Sequence, residues 1–360
     1  MKKIVITFFT ILVVAILIVF ILRDRFSTNI IINNIEEQTG LKIELINNGF
    51  WNFYPNINYS NSNVIIVQKN NSLSIQNADI QINKSYWPLS PVFLNLNSPT
   101  ITYKGMEIRN ATLQAKYANK TFHILNLKGN IVDGNLQLEG KIELDDKQPF
   151  MIRGKFKNIS LNTLLNQSQL ATWERINIKL SSSNFKISGK GKDDQSWENS
   201  LSGEIPINGS IYFTSSDEER FGAALLSLLV EKIPDLKSIS QSINFLLSTY
   251  ANIPSSLNGT MMINNGLIFS QEILVTNKEG KSSLKGSYNF IENIIDGKIF
   301  FYDQNTIFLE ASLQGKIENP KILVAGKVFS DQEEQPMQDI KQLFEKGLNS
   351  FIEKIFNINE

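Results

Sequence analysis

Two hydrophobic patterns divide the chain: one long apolar run near its start, and an alternation of apolar and polar residues over most of the remainder. The run at residues 4–22 holds nineteen residues and no charge. As a helix rising about 1.5 Å per residue, it would extend about 28 Å, close to the roughly 30 Å hydrocarbon core of a bilayer. We therefore predict a single transmembrane anchor within residues 1–25, with all later residues on one side of the membrane.

The residues that flank this run predict its orientation. Lys2 and Lys3 precede it, and residues 23–25 (Arg-Asp-Arg) follow it. The positive excess in front predicts that the N-terminus stays in the cytoplasm. A cleaved signal peptide is the alternative, but its apolar core would be shorter and would end in small residues, which residues 20–26 do not offer. We therefore favour a retained, single-pass anchor.

After the anchor, a short helical pattern gives way to strand patterns. Residues 27–38 carry apolar positions at helical spacing, and Gly40 is placed to end that helix. From Leu41 onward, apolar residues recur at every second position, which is typical of strands with one buried face. The clearest hairpin joins residues 136–144 to residues 150–156 through a polar turn at 145–149. Separate strands are predicted at 175–180 and 184–189, followed by an exposed loop at 189–194.

The number and order of these segments predict the fold class. We count about eighteen strands at short, turn-punctuated spacing and no β–α–β alternation, which indicates a mainly β protein built as a long antiparallel meander. Residues 161–173 predict a short helix that Ser160 or Asn162 would cap. Residues 217–250 hold two apolar helical stripes separated by Pro234, which predicts an αα insertion.

The C-terminal end predicts one further helix. A polar linker from residue 331 leads into residues 339–356, whose apolar side chains fall on one helical face. Its polar face has mixed charge, whereas membrane-surface helices are rich in Lys and Arg there. We therefore expect this amphipathic helix to pack across the end of the sheet or to contact a partner.

The residue inventory argues against an enzyme. The chain has no cysteine and one histidine, His123, which excludes a Cys nucleophile and a Cys/His zinc site. His123 lies in a strand-like run without a nucleophile elbow, and the acidic pairs at 145–146 and 193–194 lie in turn-like stretches. Lys and Arg total 35, equal to Asp and Glu, so no nucleic-acid surface is indicated. We assign no catalytic residue, no metal site and no cofactor.

A sheet with one apolar face must cover that face in water. A second sheet, a closed barrel or packed helices would serve, and so would the acyl chains of a lipid in a long, curled sheet. The pattern alone leaves these alternatives open. The candidate lining is one face of the central strands, formed by Leu136, Leu138, Ile142, Leu144, Phe150, Ile152, Phe156, Ile205, Ile207, Ile211 and Phe213.

The order of features resembles that of the AsmA family of bacterial envelope proteins. The resemblance begins with the anchor, the short helix ending at Thr39-Gly40, and the strand that starts at Leu41. It continues with the aromatic step at residues 50–57, which reads FWNFYPNI. It ends with residues 313–322, LQGKIENPKI, where a strand and a glycine precede Asn-Pro and a further strand, and residues 256–266 are also similar.

This resemblance implies a fold and a function. It implies a taco-like β-groove in the periplasm, anchored in the bacterial inner membrane, that binds or transfers phospholipid and contributes to outer-membrane lipid homeostasis. The implied partners are phospholipid or another acyl-chain lipid, the inner membrane, and an envelope or outer-membrane partner at the C-terminal helix. The alternative is a non-enzymatic assembly factor for outer-membrane proteins, acting through sheet edges.

The same resemblance sets an expected domain plan. The expected parts are residues 1–25 as cytoplasmic tip and anchor, 26–158 as an N-terminal helix plus β-groove, 159–330 as a C-terminal β-groove with the insertion at 217–250, and 331–360 as linker and amphipathic helix.

Overall fold

A computed structural model describes the greater part of the chain. The described residues are 33, 36, 41–46, 49–68, 73–87, 90–103, 105–167, 176–191, 194–215, 245–289, 291–316 and 321–325. Strands make up 74% of these residues, and every strand pairing given by their registers is antiparallel. The mainly β, antiparallel class predicted from the alternation is therefore confirmed. The chain forms two compact units, residues 1–129 and 130–360.

Unit 1 is an antiparallel meander. Its strands are β1 (Leu41–Leu45), β2 (Phe50–Asn52), β3 (Ile57–Gln68), β4 (Leu73–Lys84), β5 (Val92–Tyr103), β6 (Met106–Ala118) and β7 (Thr121–Ile131), whose last two residues belong to unit 2. β1 and β2 both pair with β3, one along each half of it. Asn63, Asn77 and Asn110 have positive φ in mid-strand, and the registers of β3 and β4 shift around the first two. These bulges bend the strands.

Unit 2 is also an antiparallel meander. Its strands are β8 (Gly134–Glu143), β9 (Pro149–Ser160), β10 (Ile176–Lys190), β11 (Ser202–Phe213), β12 (Ser255–Asn264), β13 (Leu267–Thr276), β14 (Lys281–Asn289), β15 (Ile294–Asp303), β16 (Thr306–Lys316) and β17 (Lys321–Ala325). Two short helices, α1 (Leu161–Gln167) and α2 (Asp194–Ser200), join β9 to β10 and β10 to β11. Each strand from β8 to β17 pairs with the next along the chain.

Several predicted elements are confirmed. The hairpin across residues 145–149 is present, with Leu136 opposite Phe156 and Ile142 opposite Phe150. The described part of the predicted helix at 161–173 is α1, and the Ser160 hydroxyl accepts a hydrogen bond from the Thr163 amide at 3.4 Å, as an N-cap does. Residues 245–250, the last part of the predicted αα insertion, are helical.

Two expectations about residues 175–194 are wrong in detail. The two separate strands predicted there are one strand, β10, because a bulge between Ser181 and Lys186 interrupts the alternation without ending the pairing. The loop predicted at 189–194 is shorter, because Gly189 and Lys190 belong to β10 and Asp194 begins α2. Helix α2 was not predicted, since its seven residues, DQSWENS, carry no apolar periodicity.

The predicted anchor at 4–22, the greater part of the insertion at 217–250 and the amphipathic helix at 339–356 lie outside the described residues. Of the predicted helix at 27–38, only Asn33 and Glu36 are described, and both are helical. Among the described residues, no helix has the length and apolarity to cross a bilayer.

Candidate functional site

The predicted lining residues of β8 and β9 share one face of unit 2. Leu136 pairs with Phe156, Leu138 with Gly154, and Ile142 with Phe150. Ile152 pairs with Gly140 on one side and with Ile187 of β10 on the other. Because residues two apart on a strand point to the same side, the apolar residues of the two strands form one patch.

The predicted residues of β11 lie on the same face, on the far side of β10. Ile211 pairs with Ile178, and Gly203 pairs with Ile187, which is also the partner of Ile152. Beyond β11, Ile205 pairs with Met261 and Ile207 with Gly259. The registers therefore bring ten of the eleven candidates onto one face. Leu144 lies just past the end of β8 and is 48% exposed.

This side of the sheet, which we call the apolar face, extends well beyond the predicted residues. According to the strand registers, the face extends from β8 through β16. None of the paired residues that lie on it is Asp, Glu, Lys or Arg. Charged residues occupy the opposite face instead. There, Arg153 Nε lies 2.6 Å from Glu139 Oε1, and Lys298 Nζ lies 2.7 Å from Glu310 Oε1. The Glu310 carboxylate raises the pKa of Lys298.

The apolar face is only partly covered by the described residues. Nine of the predicted lining residues are half-buried, and of the eleven only Ile207, 5% exposed, is fully buried. A sheet sealed inside a sandwich would carry fully buried central residues along the whole of its inner face. Here the fully buried apolar residues of the face are the cluster of Ile178, Ile207, Leu257 and Ile273 together with Phe185, Ile263 and Leu309, and the other apolar residues of the face are half-buried.

Sequence reasoning left several residues of the face unassigned. They include Ile178 of β10, Leu257 and Met261 of β12, Ile273 of β13 and Leu284 of β14. Alternation along β12 and β14 was a usable signal for Leu257, Met261 and Leu284. In β10 and β13, however, a bulge adds one residue to the strand. Even-numbered residues lie on the apolar face on one side of the bulge and odd-numbered residues on the other, so a fixed period of two assigns half of each strand to the wrong face.

Short helices cover the two ends of the strands of this face. At one end, Leu161 of α1 packs against the buried cluster, and Ile178 N donates a hydrogen bond of 3.0 Å to Asn162 Oδ1. At the same end, residues 245–250 bring Phe245 against Phe308 and Tyr250 against Phe301, with ring centroids 4.8 and 5.6 Å apart. Burial there raises the pKa of Tyr250.

At the other end, α2 places Trp197 against Phe150, with ring centroids 5.4 Å apart. The Trp197 indole N–H donates to the Gly191 carbonyl, which fixes the ring over the start of β9. The helices thus cover the strand ends, and between them most side chains of the face, such as Leu138, Ile152 and Ile205, are half-buried.

The chemistry that this arrangement supports is apolar contact. Within the part of the chain that the structure describes, no three His, Asp or Glu side chains come close enough to hold a metal ion. Comparisons with protein-family models, with curated protein sequences and with solved structures each give no match.

Proposed function

We propose that this protein binds or transfers phospholipid, or another lipid with acyl chains, along the apolar face of unit 2. One observation carries the proposal: a face without charged residues continues over nine strands, yet most of its side chains are only half-buried. Soluble proteins rarely leave contiguous apolar patches larger than a few hundred Å² in contact with water. Acyl chains are a suitable cover, because each buried CH₂ contributes about 0.8 kcal/mol.

The resemblance to the AsmA family supports a setting for this activity. We propose that the strands curl into a taco-like groove on the periplasmic side of a bacterial inner membrane, and that residues 4–22 hold the chain in that membrane. The protein would then contribute to outer-membrane lipid homeostasis without catalysing a reaction. The C-terminal helix at 339–356 would pack on the sheet or contact an envelope partner.

A pair of neighbouring residues in β9 tests lipid binding. Ile152 is half-buried on the apolar face, and Met151, 38% exposed, is on the opposite face. We expect full-length protein to co-purify with phospholipid, measured by lipid extraction and mass spectrometry. Ile152→Glu should lower the bound amount, because a carboxylate among acyl chains loses its hydration, whereas Met151→Glu should not. Circular dichroism checks that both variants keep their strands, and Ile205→Gln is a milder second variant.

Two results would contradict the proposal. One is wild-type protein that carries no phospholipid after gentle extraction. The other is equal lipid binding in Ile152→Glu, Ile205→Gln and Met151→Glu proteins that are all folded. The assembly-factor alternative predicts a different outcome, in which deletion of the gene changes porin levels and leaves the lipid asymmetry of the outer membrane unchanged.

A further inference from the structure

Unit 1 carries a second distinctive surface, at the end of its sheet where three hairpin connections meet. Ile57, the first residue of β3, pairs with Lys84, the last residue of β4, and Lys84 pairs with Val92 at the start of β5. Val92 in turn pairs with Tyr117 near the end of β6. The connections β2–β3, β4–β5 and β6–β7 therefore leave the sheet of unit 1 at one common end.

This end of unit 1 exposes aromatic side chains, which we call the aromatic rim. Tyr54 is 84% exposed and Trp87 is 71% exposed. The rim consists of Tyr54, Tyr86, Trp87, Phe93 and Tyr117. The Trp87 backbone is held against Ser90, since the Trp87 carbonyl accepts hydrogen bonds from the Ser90 amide at 2.9 Å and from the Ser90 hydroxyl at 2.7 Å.

The charge of this part of the chain is strongly biased. Residues 50–132 contain seven basic residues and two acidic ones, an excess of five positive charges in a chain whose formal net charge is zero. The basic residues are Lys69, Lys84, Lys104, Arg109, Lys116, Lys120 and Lys128. Neither acidic residue is at the aromatic rim, because Asp79 pairs with Asn97 in mid-strand and Glu107 is beside the opposite end of β5. Lys84, Lys116 and Lys120 are at the rim end.

We propose that the aromatic rim docks unit 1 onto the headgroup layer of an anionic bilayer. Tyr and Trp rings favour the membrane–water interface, where an apolar ring and a polar group are both accommodated. Lysines beside them are attracted to anionic lipids and gain about fivefold in binding for each charge near the surface. The chain enters β1 from the opposite end of β3, at Gln68, so this contact is separate from the predicted anchor. It is also independent of lipid binding on the apolar face.

Flotation with vesicles tests the docking surface. Full-length protein, held in nanodiscs of phosphatidylcholine alone, is mixed with vesicles of phosphatidylcholine or of phosphatidylcholine and phosphatidylglycerol at about 3:1. We expect binding to the anionic vesicles only. Combined Tyr54→Ala and Trp87→Ala substitutions should abolish it, and Lys84→Gln and Lys120→Gln should each weaken it about fivefold. Tyr212→Ala, which removes an exposed tyrosine of unit 2, is the matched control.

A second measurement covers the case in which the rim docks on the bilayer that already holds the chain. Trp51, Trp173 and Trp197 are replaced by Phe, and the nanodisc contains anionic lipids with brominated acyl chains, which quench the remaining Trp87. A variant that keeps only Trp197 is the control, since that ring packs against Phe150 in unit 2. We expect quenching of Trp87 and not of Trp197.

The proposal fails if folded protein neither floats with anionic vesicles nor shows quenching of Trp87. It also fails if binding is equal on zwitterionic and anionic vesicles, or if Trp87 is shielded by concentration-dependent self-association without lipid. That last outcome would identify the rim as an interface between copies of this chain. Failure of any of these tests would not contradict lipid binding on the apolar face, because the Ile152→Glu variant tests that binding separately.

Discussion

Two glycines show how closely neighbouring strands approach on the apolar face. Gly286 of β14 and Gly297 of β15 are opposite each other. A Cβ added to Gly286 would lie 2.5 Å from Gly297 Cα and 2.6 Å from the Asp296 carbonyl oxygen. A Cβ added to Gly297 would come no closer than 3.5 Å, to the Lys285 carbonyl oxygen. The twist of the sheet therefore leaves room for a side chain at one position of this pair and none at the other.

This asymmetry predicts opposite effects for the same substitution. Gly286→Ala should destabilise the protein by about 1–3 kcal/mol, because the backbone of β15 must move to admit the methyl group. Gly297→Ala should be neutral or stabilising by about 0.4–1 kcal/mol, because alanine restricts the unfolded chain and meets only ordinary contacts in the folded one. Urea denaturation of the two variants measures the difference. Equal losses of stability would contradict this account of the strand spacing.

At the scale of elements, a line of irregular residues crosses the sheet of unit 1. Asn63, Asn77 and Asn110 have φ values of 60°, 52° and 51°, and Pro99 of β5 lies opposite Asn110, between residues that pair regularly. The left-handed conformation costs most residues roughly 1–2 kcal/mol, and Asn and Gly tolerate it best. Two small side chains beside this line, Ala78 and Ala111, are fully buried. The bend in these strands is thus specified by backbone conformation together with small residues.

Substitution of Asn77, whose side chain is exposed, tests whether the positive φ at this bulge requires an asparagine or a glycine. Asn77→Val should lower the free energy of unfolding by about 1–2 kcal/mol, because a β-branched residue disfavours positive φ. Asn77→Gly should retain wild-type stability. Asn95→Val is the control, since Asn95 is an exposed residue of β5 with ordinary strand geometry. If Asn77→Val and Asn95→Val gave the same urea midpoint, the left-handed conformation would not be what makes Asn77 necessary.

The sequence predicts this fold well wherever the period of two is unbroken. The β8–β9 hairpin and β11 follow from alternation, and their predicted lining residues lie on one side of the sheet. The predicted side of each residue becomes wrong after a bulge, because one extra residue moves every later side chain to the opposite face. This happens between Ser181 and Lys186. The prediction also misses α2, which is too short to show a helical period and is held by Trp197 against Phe150.

The candidate site was only partly predictable for a related reason. Alternation identifies which residues share a face, but the partners that cover a face are distant in sequence. Ile207 is buried because Ile178, Leu257 and Ile273 surround it from three other strands, whereas Ile205, two residues earlier on the same strand, is half-buried. The aromatic rim was likewise not predicted, since its residues come from two connections and from the ends of β5 and β6, which only the registers bring to one end.

At the scale of the whole molecule, the width of the apolar face limits how much lipid it can hold. Strands β8 to β16 are separated by eight intervals of about 4.8 Å, which gives about 38 Å along the sheet. An acyl chain occupies about half of the roughly 30 Å bilayer core, or about 15 Å. The face is therefore wide enough for at least two acyl chains placed end to end, and we predict that native mass spectrometry will detect two or more phospholipids on one chain.

Substitutions in two distant parts of the face test this expectation. Ile152→Glu, in β9, should remove lipid from the β8–β9 region and leave the region around β15 occupied, so the highest lipid number should fall without reaching zero. Ile299→Glu, in β15, should remove lipid from the region around β15 and leave the β8–β9 region occupied. The double variant should lose all bound lipid. If Ile152→Glu alone abolished every bound species in folded protein, the face would hold one indivisible site. Independent losses would instead indicate a continuous surface along which a lipid can move, which transfer requires and simple storage does not.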